Sequence, residues 1–344
     1  MRSPLEWDPL EGVLLTTWTS SYDDSFVPLT RALLDTGTTV FVCSREDEQA
    51  NLNAHAWLDG EDGVVWLDCG VDTIWVRDWG PFFLEDEELG RVLGDSSYQA
   101  VRPNDNGYPT DAGADHFDAP VHRIPMRLDG GNVLALEDGR CLSSTTVHTR
   151  HPDFEADDAI ALMDEGLGCT DVLFLDPIEG EPTGHVDFHA LPLPGGRVVS
   201  AVPQNDDRLI DAGLEVLPAD LPDSTLFETW QNAIWVEDTL LVPTYDGLDN
   251  EGALDQLQGW LPDTELVPVP SDALIASGGA IHCVVKQVFT APEIPPVPRD
   301  PKVDPEPRYA CSSAVPPERG WAWVLALVAL STWRGRRPTH ARRS

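Results

Sequence analysis

Apolar positions along the chain follow two spacings. Short apolar runs at 64–67, 140–143, 172–175, 198–202 and 239–243 are bounded by Gly, Asp and Pro, which predicts strands. Between them the spacing lengthens. Leu29, Leu33 and Leu34 fall on one side of a helix expected over 26–34, and Ile160 and Met163 mark a face of another over 156–167. Strands alternating with helices over residues 1 to about 292 predict one continuous mixed α/β body. No fixed-period repeat is visible in the sequence.

The pattern stops at 291–308, "APEIPPVPRDPKVDPEPR", a charged, proline-rich stretch that reads as an extended linker. Beyond Cys311 comes a 14-residue apolar run, "GWAWVLALVALSTW" (320–333), followed by "RGRRPTHARRS". The run is shorter than the roughly 20 residues of a spanning helix. Trp at both ends and five following Arg nevertheless give it the flanks of a membrane segment. The expected organisation is therefore a mixed α/β body at 1–292, a linker at 293–312 and a membrane-directed tail at 313–344. The tail resembles the tripartite C-terminal sorting tails of some exported bacterial proteins, which implies export to the cell surface or outer envelope. Glu6, Asp8 and Glu11 interrupt any signal-peptide pattern at the start, so a cytoplasmic location is the alternative unless translation begins upstream.

Charge narrows the partners. The formal net charge is −37, and residues 313–344 hold six Arg against one Glu, leaving 16 basic and 58 acidic groups in the rest. A body that acidic repels nucleic acid and attracts cations, whether metal ions, amines or guanidinium groups. The six Cys contain no C-x-x-C pair, so zinc-ribbon and thioredoxin readings have no support. The Asp-rich stretch "DGLDNEGALD" (246–255) lacks the spacing of an EF-hand loop, and neither metal nor cofactor is expected.

Four stretches place polar groups inside apolar surroundings: "DTIWVRDWGP" (72–81), "LDGGNV" (128–133), "TGHVDFHA" (183–190) and "SGGAIHCVVKQV" (277–288). Each alone has a bland reading. Arg77 and Asp78 would form a structural ion pair, Asp-Gly-Gly-Asn would be a hairpin turn, and Cys283 would be a packing residue. If 183–190 is a strand, His185 and Asp187 share a face, whereas His282 and Cys283 on a strand look apart. Together the four suit one chemistry. Asp78 and Asp187 can grip a planar guanidinium bidentately. A Cys283 thiolate, its pKa lowered by the bound cation and a nearby imidazolium, can attack the central carbon. His185 can protonate departing ammonia and then activate water.

Trp-x-Arg-Asp-x-Gly-Pro, Asp-Gly-Gly-Asn, Gly-His-Val-Asp and Gly-Gly-x-Ile-His-Cys, in that order, resemble the agmatine deiminase and bacterial peptidylarginine deiminase family of guanidino-group-modifying enzymes. "EWDPLEGVLLT" (6–16) and "ETWQNAIWVEDTLLVPTY" (228–245) extend the resemblance over roughly 5–290. It implies the pentein fold, a five-bladed α/β propeller of ββαβ units. It implies Cys283 as nucleophile, His185 as general acid/base, Asp78 and Asp187 as guanidinium carboxylates, Asn232 as a polar substrate-site group and Trp75 as a channel wall. Strict strand alternation would put Trp75 and Asp78 on opposite faces, so the chain must leave strand geometry before Gly80-Pro81.

The expected reaction is hydrolytic deimination through a thiouronium, releasing ammonia. "YQAVRPNDN" (98–106) resembles the peptidylarginine side of the family and offers Arg102 as an anchor for a substrate carboxylate, although Ala100 stands where a second Arg can occur. Peptidyl or C-terminal arginine giving citrulline is thus the first expectation. Agmatine giving N-carbamoylputrescine, a step of putrescine biosynthesis, is the alternative, and pairing of Arg102 with Asp105 would remove the anchor. An amidinotransferase, a cysteine protease and an inactive surface-anchored binding protein are the competitors from other classes. Oligomeric state is not readable.

Overall fold

An antiparallel strand pair followed by a helical crossover into a parallel third strand recurs through the chain. The computed structural model describes residues 1–99, 101–222 and 225–292. The described residues fall in one compact unit. The linker and tail expected over 293–344, and Ala100, lie outside the described residues.

The first sheet contains β1 (Leu10–Thr16), β2 (Thr39–Arg45) and β3 (Val64–Val71), all parallel. The second holds β4 (Phe82–Asp86), β5 (Gly90–Ser97) and β6 (Val121–Arg127). The third holds β7 (Leu134–Ala135), β8 (Cys141–Ser144) and β9 (Val172–Leu175). The fourth holds β10 (Ala190–Leu193), β11 (Arg197–Ser200) and β12 (Glu215–Pro218), and the fifth β13 (Ile234–Val236), β14 (Thr239–Thr244) and β15 (Glu265–Pro270). In sheets two to five the first two strands are antiparallel and the last two parallel. Parallel neighbours require a crossover, which is where the helices lie. β16 (Lys286–Phe289) returns to pair antiparallel with β1, giving the first sheet the same pattern.

The amphipathic spacings are realised. The helix Asp23–Asp35 buries Phe26, Leu29 and Leu33 against the first sheet, while Leu34 is only partly covered. The helix Ala156–Leu167 starts on a capping box of Glu155 and Asp158 and stops at Gly168, whose φ of 73° favours a residue without a Cβ. The expected strands correspond to β3, β8, β9, β11 and β14.

Apolar side chains collect between successive sheets. Leu14 and Val288 meet Phe83 and Leu93, Phe82 and Ile124 meet Cys141 and Val172, and Leu134 and Leu142 meet Ala190 and Val198. Leu191 and Val199 meet Trp235 and Leu240, and Ile234 and Leu241 meet Val13 and Val42. Cys43–Cys69 and Cys141–Cys169 are disulfides, and Cys283 is a free thiol.

Candidate active site

Just ahead of the first strand of a unit, or of β16, the chain makes a short helical turn. Val76–Trp79 precedes β4, Gly130–Asn132 precedes β7, Val186–Phe188 precedes β10 and His282–Val284 precedes β16. These turns carry the four motifs. This corrects the strand geometry expected around Cys283 and for His185 with Asp187, and the hairpin expected at Asp-Gly-Gly-Asn. A single turn is the physical remedy for the pleat, which would send adjacent side chains to opposite faces. The first turn packs against the second and the fourth, and the second packs against the third.

Gly131 lies at their meeting point. A Cβ there would stand 2.9 Å from each of Asp78 Oδ1, Asp187 Oδ2 and His185 Nδ1, so only glycine allows the three to converge. Its N–H donates to Asp78 Oδ1 at 3.2 Å. Asn132, fully buried, accepts through Oδ1 from the N–H groups of Ser144 and Val186, tying β8 to the turn that bears Asp187.

His185 is bracketed by carboxylates. Nδ1 lies 3.4 Å from Asp78 and Nε2 lies 3.1 Å from Asp129. Burial alone would push its pKa down, but Asp78, Asp129 and Asp187 outweigh that and raise it to about 9. Asp129 also ion-pairs with Arg150 at 2.5 Å. Despite burial, its carboxyl is held below the ordinary value by His185 and Arg150. Asp78 moves the other way, to about 6, because burial and the neighbouring Asp129 and Asp187 exceed the pull of His185. Asp187 is buried, and its Oδ1 has no hydrogen-bond partner.

Cys283 Sγ donates to Asn232 Oδ1 at 3.5 Å, and Asn232 Nδ2 donates to the Asp187 carbonyl. Burial pushes the thiol pKa well up, and Asp187 and Asp78 push it further. These pushes favour the thiol in the free site, whereas the lowering expected from the sequence depends on a bound cation. A cation between the two aspartates would reverse that repulsion. Trp75 packs beside Cys283 and Gly279, where a Cβ on the glycine would reach the Trp75 ring at 2.6 Å. Gly279 is thus the residue that lets the indole approach the thiol.

A cleft of about 420 Å³ opens onto Cys283, His185, Asp78 and Asp129, with Trp75 in its wall. Arg102 lies in its lining but does not pair with Asp105, whose carboxylate instead accepts from Asp72 N–H, Thr73 N–H and the Thr73 hydroxyl. Arg102 Nη1 donates to the Tyr98 hydroxyl at 2.9 Å. Nor does Arg77 pair with Asp78. It turns away to Glu6 at 3.4 Å and Gln287 at 2.6 Å.

Sequence reasoning passed over Asp129, Arg127 and Arg150. Asp129 stood inside a quoted motif, and its place before two glycines was the available signal. Nothing in the local pattern marks the two arginines, which come from β6 and from the helix Thr146–Arg150. Among the described residues no group of three or more His, Cys, Asp or Glu is arranged to hold a metal.

A thiol, an imidazolium, Asp78 and Asp129 line one cleft, with Asp187 and Asn232 outside its lining and Asp187 beside Gly131. On this mixed α/β fold the set defines a hydrolase of the C–N bond of linear amidines. The profile of the Porphyromonas-type peptidyl-arginine deiminase family matches residues 2–217 and 211–288, and the chain belongs to that family. An agmatine deiminase of Pseudomonas aeruginosa is 22% identical, with 83% of this chain and 95% of that protein aligned. The solved agmatine deiminase of Enterococcus faecalis superposes with a TM-score of 0.73 at 20% identity, covering 83% of this chain and 95% of that one. That of C. jejuni superposes at 0.72 with 17% identity, covering 84% and 96%. The two structures share the fold.

Proposed function

We propose that the chain converts the guanidinium of an arginine bearing a free carboxylate, either the amino acid or a peptide's C-terminal residue, to a ureido group. The guanidinium sits between Asp78 and Asp187, where its N–H groups satisfy the open Asp187 Oδ1. Its positive charge favours the thiolate, and the thiol proton leaves to solvent through the cleft. Sulfur attacks the guanidinium carbon, protonated His185 gives its proton to the departing ammonia, and a thiouronium remains. Water then attacks while neutral His185 takes one of its protons. As the C–S bond breaks the remaining hydroxyl proton passes to sulfur, returning the Cys283 thiol and releasing the ureido product. Asp129 and Arg150 hold the imidazole in place throughout.

One observation carries the choice of substrate. Arg102 and Arg127 line the same cleft as Cys283, and neither makes an ion pair with a carboxylate among the described residues. In so acidic a chain, two guanidiniums without an ion-pair partner, one of them hydrogen-bonded to Tyr98, suit a carboxylate and repel a second cation. Agmatine is the second reading, supported by the names of the curated relatives. Arg102→Ala and Arg127→Ala should each lower kcat/KM for an arginine-ended dipeptide by about 10- to 100-fold, the worth of a charge-assisted hydrogen bond. Agmatine turnover should hold or rise. An unchanged ratio between the two substrates in both variants would sink the carboxylate reading.

A pH dependence follows from Asp78. Below about 6 it is neutral and its half of the grip is lost. Agmatine or dipeptide affinity for a Cys283→Ala protein, measured by calorimetry, should therefore weaken as pH falls through about 6. Affinity that stays flat from pH 7 to 5 would contradict the assignment of Asp78 (about one unit each side of the value is probed).

We further infer that the five sheets are blades of one propeller. Apolar clusters between sheets one and two, two and three, three and four, four and five, and five and one support a closed ring. Export, with the tail directed to a membrane, is likewise a proposal. Its support is the pair of disulfides, which persist in oxidising compartments. In a Cys311→Ser variant of the native protein, one thiol per chain should react in denaturant without reductant; five reactive thiols would count against export.

A further inference from the structure

Glu6 is distant in sequence from the rest of the site, yet its carboxylate is buried behind it. His282 Nε2 lies 3.3 Å from Glu6 Oε2, Gln287 donates to the same oxygen at 2.8 Å, and Arg77 lies 3.4 Å from Oε1. Burial would raise the Glu6 pKa, but Arg77 and His282 hold it well below the usual carboxylate range. The other face of the His282 ring meets the active site, with Nδ1 donating to Asp187 Oδ2 at 2.7 Å.

The imidazole therefore bridges a carboxylate from the N-terminal segment to the carboxylate proposed to grip substrate. One Asp187 oxygen is tied and the other, Oδ1, is buried without a partner. A buried carboxylate oxygen left unpaired is unfavourable, so something must hold it there until a donor arrives. The segment around Glu6 is itself anchored. Arg2 exchanges backbone hydrogen bonds with Glu85, and Trp7 packs edge-on to Trp235 at 6.1 Å.

We propose that Glu6 and His282 are positioning residues for substrate recognition, fixing Asp187 so that Oδ1 faces the incoming guanidinium. His282 touches neither the thiol nor the reacting carbon in this scheme. It acts through Asp187, and Glu6 acts through His282. The inference rests on the deiminase reading, because it takes Asp187 to be the guanidinium carboxylate.

The test uses binding, in the full chain with Cys283→Ala, titrated with agmatine and with a dipeptide ending in arginine. Adding His282→Leu should weaken whichever ligand binds by about 30-fold, as expected for losing the partner of a charged acceptor. His282→Asn, whose side-chain N–H can replace Nδ1–H, should recover affinity to within about 5-fold of the parent. Glu6→Gln, which keeps shape but removes charge, should weaken binding about 5-fold with a melting temperature close to the parent's. Affinity within about 3-fold of the parent in both His282→Leu and Glu6→Gln would overturn the proposal, and so would an Asn variant no better than Leu. Should His282→Leu fail to fold, Glu6→Gln decides alone. If the Cys283→Ala parent binds neither guanidine, the deiminase reading has failed and this inference fails with it. That outcome differs from a parent that binds and variants that match it.

Discussion

Cys283→Ala should lower kcat for ureido formation by at least about 10⁴-fold while leaving guanidine affinity within about 3-fold of wild type. The first half follows from the reaction. Without sulfur there is no thiouronium, and water must attack a resonance-stabilised guanidinium directly. The second half follows from the electrostatics of the free site. Burial, Asp187 and Asp78 all hold Cys283 as a neutral thiol, so alanine removes no charge that was helping to bind a cation. Were the resting group a thiolate, its loss would weaken cation binding markedly. Kinetics and calorimetry on the same variant therefore examine both the nucleophile and its protonation state. Turnover within about tenfold of wild type would remove Cys283 from the mechanism.

His185→Gln should reduce kcat by about 10³-fold, within the range for loss of a general acid/base. It should also change how stability depends on pH. The folded pKa of His185, about 9, exceeds its ordinary value of 6.5. The charged ring therefore contributes its full stabilisation below about 6.5, and that contribution disappears as pH rises through 9. The shift corresponds to something on the order of 3 kcal/mol. In denaturant titrations the stability gap between wild type and His185→Gln should narrow between pH 6.5 and 9. A gap that widens over that interval would mean that His185 is not the imidazolium held by Asp78 and Asp129.

The parts of the fold with a long period were legible in the sequence. Leu29, Leu33 and Leu34 announced one helix, and Ile160 with Met163 another, because burial of one helix face imposes a spacing that survives in the residues. The runs that became β3, β8, β9, β11 and β14 were legible for the same reason. The site turns were not. Three or four residues hold no period, so His185 and Asp187 looked like strand neighbours, and their convergence was anticipated for the wrong geometric reason. His282 shows the limit best. The strand that would turn it away from Cys283 is a helical turn, and the ring is buried against Asp187, the carboxylate proposed to grip the guanidinium. Arg77 and Asp78 form a natural pair on paper. In space one faces Glu6 and the other His185, a division set by a helical turn that no local pattern encodes.

The central claim is that this cleft hydrolyses a guanidinium through Cys283. Its most direct test is mass spectrometry of an arginine-ended dipeptide and of agmatine after incubation with the full chain in heavy-oxygen water, with ammonia assayed alongside. One ammonia for each ureido product, the label in the ureido oxygen, and no product from Cys283→Ala are the predicted results. Neither ammonia nor ureido product from either guanidine, or a product made equally well by Cys283→Ala, would contradict the account.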